Sequence, residues 1–281
     1  RRRALCEAEV RLNRRTAPAL YHGVLPVMRQ ADGSYRLGGE GTSVDWVVEM
    51  SRFPQDALLD RLATASQLAL ELMPRLAAAI AKFHALAERR TDHGGRAGMS
   101  WVVEGNAAGF AEFGRPCLDP DTSHRVIERS RRELARLADA LERRRKDGFV
   151  RQCHGDLHLR NIVLLDGQPT PFDGVEFNDQ IACIDVLYDL AFLLMDLWRR
   201  RLPRHANVVW NRYLSDSDDL SGLSLLPLFL SCRAAVRAKT SARAASLQQD
   251  AERRRELHAT AGEYLAMADR LLHPPRASLI T

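Results

Sequence analysis

Lysine is nearly missing from this chain. Lys82, Lys146 and Lys239 are the only lysines among 41 basic residues, so the formal charge of +5 is carried by arginine. Cysteine is also sparse, with five residues at positions 6, 117, 153, 183 and 232. That odd, scattered set holds no C-x-x-C pair, which argues against a disulfide framework or a zinc knuckle and points to a reducing, cytoplasmic setting. Long apolar runs are lacking as well. Val186 to Trp198 and Leu223 to Cys232 are too short, or too interrupted by Asp, to cross a hydrocarbon layer of about 30 Å, so no membrane partner is expected, and no secretory signal is visible. No G-x-x-x-x-G-K-[ST] occurs, which excludes a P-loop nucleotide site within the chain. Arginines do cluster at 129–132 and 143–146, but Glu128, Glu133, Asp139 and Glu142 alternate with them. Mixed signs along a helix read as a solvated face, not a nucleic-acid surface.

What is present is enough to fold and to do chemistry. At 281 residues and 46% apolar content, the chain can bury a full core in one large domain or two lobes. Residues 1–16 carry Leu5, Val10 and Leu12 on a charged helix. Val24 to Arg29 and Ser43 to Met50 read as strands of a hairpin, with Gly38-Gly39-Glu40-Gly41 as a turn and not a phosphate loop. Pro54 then ends the extended pattern. Residues 57–89 show helical spacing, with His84 on the apolar face as a core residue. Residues 91–100 read as a glycine-rich loop and 101–121 as an irregular segment where acceptor specificity could reside. Residues 124–146 and 181–198 read as two long helices.

The densest signal is Cys153-His154-Gly155-Asp156-Leu157-His158-Leu159-Arg160-Asn161, followed by Pro171-Phe172-Asp173. An Asp five residues before an Asn lets the first orient a hydroxyl while the second reaches a magnesium ion, and a second Asp one hairpin later completes a hard oxygen ligand set. Residues 162–165 and 169–172 flank the turn Asp166-Gly167-Gln168, so Asn161 and Asp173 return to one end of that hairpin. A zinc site on His154 and His158 is the rival reading; Gly155 argues against the helix it needs. Glu176 and Asn178 are candidates to support the metal or the acceptor. Asp189, between Tyr188 and Leu190, is expected to be buried and therefore to need donors. Arg233, Arg237, Lys239 and Arg243 form a basic stretch suited to a phosphorylated substrate or, equally, to solvent or an acidic neighbour.

These residues resemble the aminoglycoside phosphotransferase family of kinase-like enzymes, whose catalytic loop reads H-G-D-x-x-x-x-N. Through HGDLHLRNIVLLDG, PFDGVEFND and IDVLYDLAFLLMDL the chain is most similar to uncharacterised bacterial predicted kinases often fused to a C-terminal P-loop ATPase module. The resemblance implies an α+β, protein-kinase-like, two-lobed fold, with an incomplete small lobe at residues 1–53. A helical lobe would follow at 54–281, ending in a linker near His273-Pro274-Pro275 before a strand at Leu279-Ile280.

It further implies ATP and Mg²⁺ as cofactors and a small-molecule hydroxyl acceptor. Asp156 would be the base, Asn161 and Asp173 the metal ligands, and His154 a brace for the loop. Glu9, with Glu7 as the alternative, would be the glutamate that pairs with the phosphate lysine. The backbone at Glu49 and Met50 would meet the adenine, and Asp189 would accept hydrogen bonds from the catalytic loop. None of the three lysines stands where the family's phosphate lysine does, and the glycine-rich loop is missing. The expectation is that the sequence begins inside the small lobe. The alternative is a catalytically impaired nucleotide-binding or regulatory module serving a fused or associated P-loop ATPase.

Overall fold

The computed structural model describes residues 1–273, so the expected strand at Leu279-Ile280 and most of the expected linker lie outside the described residues. The chain opens with helix α1 (Arg2–Asn13), which lies beside an antiparallel sheet of β1 (Tyr21–Arg29), β2 (Tyr35–Leu37) and β3 (Thr42–Met50) in the order β2-β1-β3. Val24 faces Val48 and Leu25 faces Val47 across the β1–β3 ladder. Val10 of α1 joins Ala17, Leu20, Tyr21 and Val163 in a small core under this sheet. Strand β2 escapes the sequence pattern because its three residues are all exposed, so no alternation of burial marks it.

After a single 3₁₀ turn at Gln55–Ala57 the chain is mostly helical, with α2 (Leu59–Thr64), α3 (Leu72–Leu86), α4 (Gly95–Phe113), α5 (Pro120–Arg136) and α6 (Ala138–Lys146). Helix α4 corrects the reading of 91–121 as loop and irregular chain. Gly94 and Gly95 turn the backbone at positive φ at the start of the helix. A Cβ on Gly109 would come within 2.3 Å of the Lys239 side chain, so this glycine lets another helix approach closely. The expected helix over 124–146 is two helices meeting at Leu137.

Next come β4 (Val150–Gln152), β5 (Ile162–Leu165), β6 (Gln168–Pro171), α7 (Asp179–Ala182), β7 (Cys183–Asp185) and α8 (Val186–Arg199). The expected helix from Ile181 begins five residues later because Cys183–Asp185 pairs with Val150–Gln152. Asp185 then caps α8, accepting from Leu187 N at 2.9 Å. Helix α8 is buried from Val186 to Leu197 and forms the axis of the larger core. Against it pack α9 (Pro203–Ser217) and α10 (Leu226–Leu247), and α11 (Ala251–Leu271) packs on α10. Segment Leu220–Leu247 has the length and apolarity of a membrane span, longer than the run read from sequence. Its apolar window is 56% buried within the protein, as suits a core helix.

Candidate active site

The candidate catalytic loop, His154 to Asn161, is built on a buried carboxylate. Asp189, in the first turn of α8, is fully buried. Its two oxygens accept from His154 N at 3.1 Å and Gly155 N at 2.9 Å, while His84 Nε2 lies at 3.0 Å. Burial pushes this carboxyl up, but the hydrogen bond to His84 and the neighbouring cations outweigh it, so the group stays ionised below the ordinary range. Gly155 sits at φ +83°, a conformation that favours glycine and turns both amides toward one acceptor. Two turns further along the same helix, Asp196 accepts from Leu159 N at 3.1 Å. The loop is thus pinned to α8 at both ends.

His154 is buried, and its Nε2 lies 2.8 Å from Phe172 O, joining the catalytic loop to the end of the β5–β6 hairpin. Burial pushes its pKa down, which favours the neutral ring. Phe172 N donates to Asn161 O at 3.0 Å, so Asn161 and Asp173 meet at one end of the hairpin. Asn161 Nδ2 donates to Asp156 Oδ2 at 3.1 Å and to Asp156 O at 3.0 Å, which commits its amide nitrogen to the loop and leaves Oδ1 available to accept or ligate. Asp156 itself is half-exposed, with His158 Nε2 at 3.4 Å from Oδ2. Burial raises the Asp156 carboxyl, yet the hydrogen bond to His158 and the charges around it hold the pKa well below the carboxylate range.

The small lobe supplies the other wall. Asp173 adopts a left-handed backbone at φ +62°, and its N donates to Tyr21 Oη at 3.2 Å. Asn13, at the last turn of α1, accepts from Gly174 N at 2.7 Å through Oδ1 and donates to Glu9 O at 3.0 Å. Glu9 faces this corner. Its carboxyl is raised by burial and then by Glu176 and Asp173, and Glu176 is raised by burial and by Asp173. Three carboxylates therefore converge, and among the described residues no lysine or arginine pairs with them. Glu7 points away and is bonded to Arg3 at 2.8 Å.

Hard oxygens crowded at one corner, with the carboxyls of Glu9 and Glu176 raised by burial and by their acidic neighbours, are the donor set a divalent cation stabilises, so the residues present fit magnesium. A zinc site on His154 and His158 does not fit, because His154 binds Phe172 O and His158 turns to Asp156. The other trio with metal-like spacing, His84, Cys153 and Asp189, is spent on hydrogen bonds: His84 holds Tyr213 Oη at 2.9 Å as well as Asp189.

A family model described as the phosphotransferase enzyme family (APH) matches residues 2–226. The chain belongs to this phosphotransferase family. Curated relatives from Mycobacterium bovis and two strains of Mycobacterium tuberculosis, each titled an uncharacterized protein, are 28% identical over 242 residues. The match covers 85% of this chain and 47% of each relative, so the chain spans about half their length. A solved structure of a thermostable mutant of aminoglycoside phosphotransferase APH(4)-Ia in its apo form is similar with a TM-score of 0.48 and 13% identity. That match covers 94% of this chain and 83% of the other.

In this member of the family the structure brings Glu9, His154, Asp156, Asn161, Asp173 and Glu176 to one cleft. Glu49 and Met50 lie at the end of β3, opposite Gly23 and Tyr21, and Ser51 N donates to Leu20 O at 2.8 Å. Lys82 lines a separate cavity with Arg15 and Gln168, and Lys146 is exposed at the end of α6. Lys239 is half-buried against Gly105 O at 3.3 Å. Sequence reasoning missed Asn13 and Tyr21, the two small-lobe residues that grip Gly174 and Asp173. Nothing in their neighbourhoods marks them, because each acts more than 150 residues away along the chain.

Proposed function

We propose that this phosphotransferase is ATP- and magnesium-dependent and transfers the γ-phosphoryl group to a hydroxyl of a small molecule. The observation that carries this reading is the single cleft joining Asp156, Asn161 and Asp173, with the carboxylates of Glu9 and Glu176 beside them. Magnesium, when bound, would supply positive charge that offsets the charge on the group in transfer. Asn161 Oδ1 and the Asp173 carboxylate would hold it, and Glu9 and Glu176 would support it. Asp156 is ionised and half-exposed, so it can accept the proton of an acceptor hydroxyl as the new O–P bond forms and ADP departs. The backbone at Glu49 and Met50, where the small lobe gives way to the large one, is the place for the adenine.

Two measurements test this. Thermal-shift titration with ATP and magnesium should stabilise the chain by mass action, and Asp173→Ala should abolish the shift. An equal shift in the variant would remove Asp173 from the site. With an acceptor in hand, Asp156→Asn should lower turnover by about 10²- to 10⁴-fold while sparing the nucleotide shift, the range general-base catalysis supplies. Undiminished turnover would sink the assignment of Asp156.

A further inference from the structure

The large lobe holds a cavity of 220 Å³, lined by His158, whose ring faces Asp156, and by five arginines, Arg160, Arg199, Arg200, Arg237 and Arg253. Two carboxylates on the wall neutralise part of this charge. Arg200 Nε pairs with Asp196 at 3.1 Å and Arg253 with Glu256 at 2.6 Å. Arg199 is drawn to Glu263 at 2.9 Å, yet its Nε is buried with no hydrogen-bond partner among the described residues. Arg160 and Arg237 engage no carboxylate among the described residues, and Arg237 lies over the Tyr264 ring at 5.7 Å.

His158 makes the link to the chemistry. Its Nε2 faces Asp156, its side chain is 8% exposed, and its Nδ1 is buried without a partner among the described residues. A buried nitrogen left unpaired is costly unless something arrives to bond it. A cleft lined by one sign of charge concentrates ligands of the opposite sign, and guanidinium groups match planar or tetrahedral oxyanions.

We propose that the acceptor is an acidic, hydroxylated small molecule whose oxyanion, phosphate or carboxylate, binds Arg160 and Arg237 in this cavity while its hydroxyl reaches Asp156. This rests on the phosphotransferase reading above and specifies its substrate class. An acceptor carrying several amines would meet an excess of like charge, five arginines against two carboxylates.

The test uses one sugar scaffold with four charges: glucose, glucosamine, gluconate and glucose 6-phosphate, with inorganic phosphate as the bare oxyanion. Thermal shifts are measured on the full chain and on Asp173→Ala, which separates this cavity from the nucleotide site. The expected result is stabilisation by the anions in both proteins and little from glucose or glucosamine. Gluconate against glucose 6-phosphate tells a carboxylate from a phosphate.

The double variant Arg160→Gln/Arg237→Gln should weaken the anion effect about tenfold or more, while Arg237→Lys, which keeps the charge, retains most of it. Stabilisation by glucosamine as strong as by the anions, no anion effect at all, or an effect unchanged in the double variant would overturn the proposal. An anion effect without any shift by ATP and magnesium would instead overturn the transfer reading and leave the cavity an anion site.

Discussion

Asp189 shows how much one side chain can carry. It has no exposed surface, and it accepts the two backbone amides that shape the loop before Asp156. Arg233 stands 3.8 Å away, stacked over Tyr188 at 3.9 Å, and donates to Tyr188 O at 3.0 Å. Removing the charge of Asp189 while keeping its shape leaves the buried Arg233 without its counter-charge. Asp189→Asn is therefore expected to cost about 3–5 kcal/mol, read as a fall in the melting temperature of roughly 10 °C for a chain of this size. A change below about 2 °C would show that the loop is held by other contacts. The burial of Asp189 was legible from its apolar neighbours in sequence. The placement of Arg233 was not, since a basic stretch on a helix reads alike whether it faces solvent or a buried carboxylate.

At the scale of elements, Arg144 is the corresponding case. The sequence places it in a solvated run of four cations, but the structure buries it at 2% exposure. Its guanidinium forks onto Asp185 at 2.7 and 2.8 Å and onto Asp219 Oδ2 at 2.7 Å, and it lies 4.1 Å from the Phe149 ring centroid. It thereby ties the end of α6 to the cap of α8 and to the 3₁₀ segment Leu220–Leu225. Lysine offers one compact ammonium and cannot serve both carboxylates with this geometry. Arg144→Lys should destabilise the protein by about 2–4 kcal/mol, within the range for disrupting a buried charged network, measured by denaturant unfolding. Stability within about 0.5 kcal/mol of the parent would contradict the role given to the fork.

Helix α4 teaches the opposite lesson. Its glycines suggested a loop because glycine weakens an isolated helix by about 1 kcal/mol per residue. Packing decided otherwise, since Gly109 makes room for Lys239.

For the whole molecule, the cleft between the sheet of β1 to β3 and the helical lobe gathers Glu9, Asp173 and Glu176. Glu9 and Glu176 have folded-state pKa values above the ordinary 4.5, first through burial and then through their acidic neighbours. A raised carboxyl pKa means that the folded state holds its proton more tightly than the unfolded one. Their contribution to stability is present below pH 4.5 and is lost as pH rises through the raised values. Glu9→Gln should therefore raise the melting temperature of the ligand-free chain by about 1–3 °C at pH 7.5, and by less near pH 4.5. The same variant should weaken the shift produced by ATP and magnesium. Equal temperature changes at both pH values would dissociate Glu9 from this cluster. His154 has the opposite sign: its depressed pKa withdraws stability as pH falls below 6.5, so acid should loosen the catalytic loop.

The sequence alone determined the chemistry of the loop. His154, Asp156, Asn161 and Asp173 lie within twenty residues, joined by one short hairpin, and local backbone geometry suffices to bring them together. It also determined that a helix would bury Asp189, because an acidic residue inside an apolar run has few other fates. Only the tertiary structure decided what faces that loop. Asn13, Tyr21 and Glu9 arrive from the other lobe, and the arginines of the anion cavity come from the catalytic loop, α8, α10 and α11. The physical reason is that burial and electrostatic pairing between distant segments depend on the packing of whole elements. Residue type and local periodicity do not encode that packing one segment at a time.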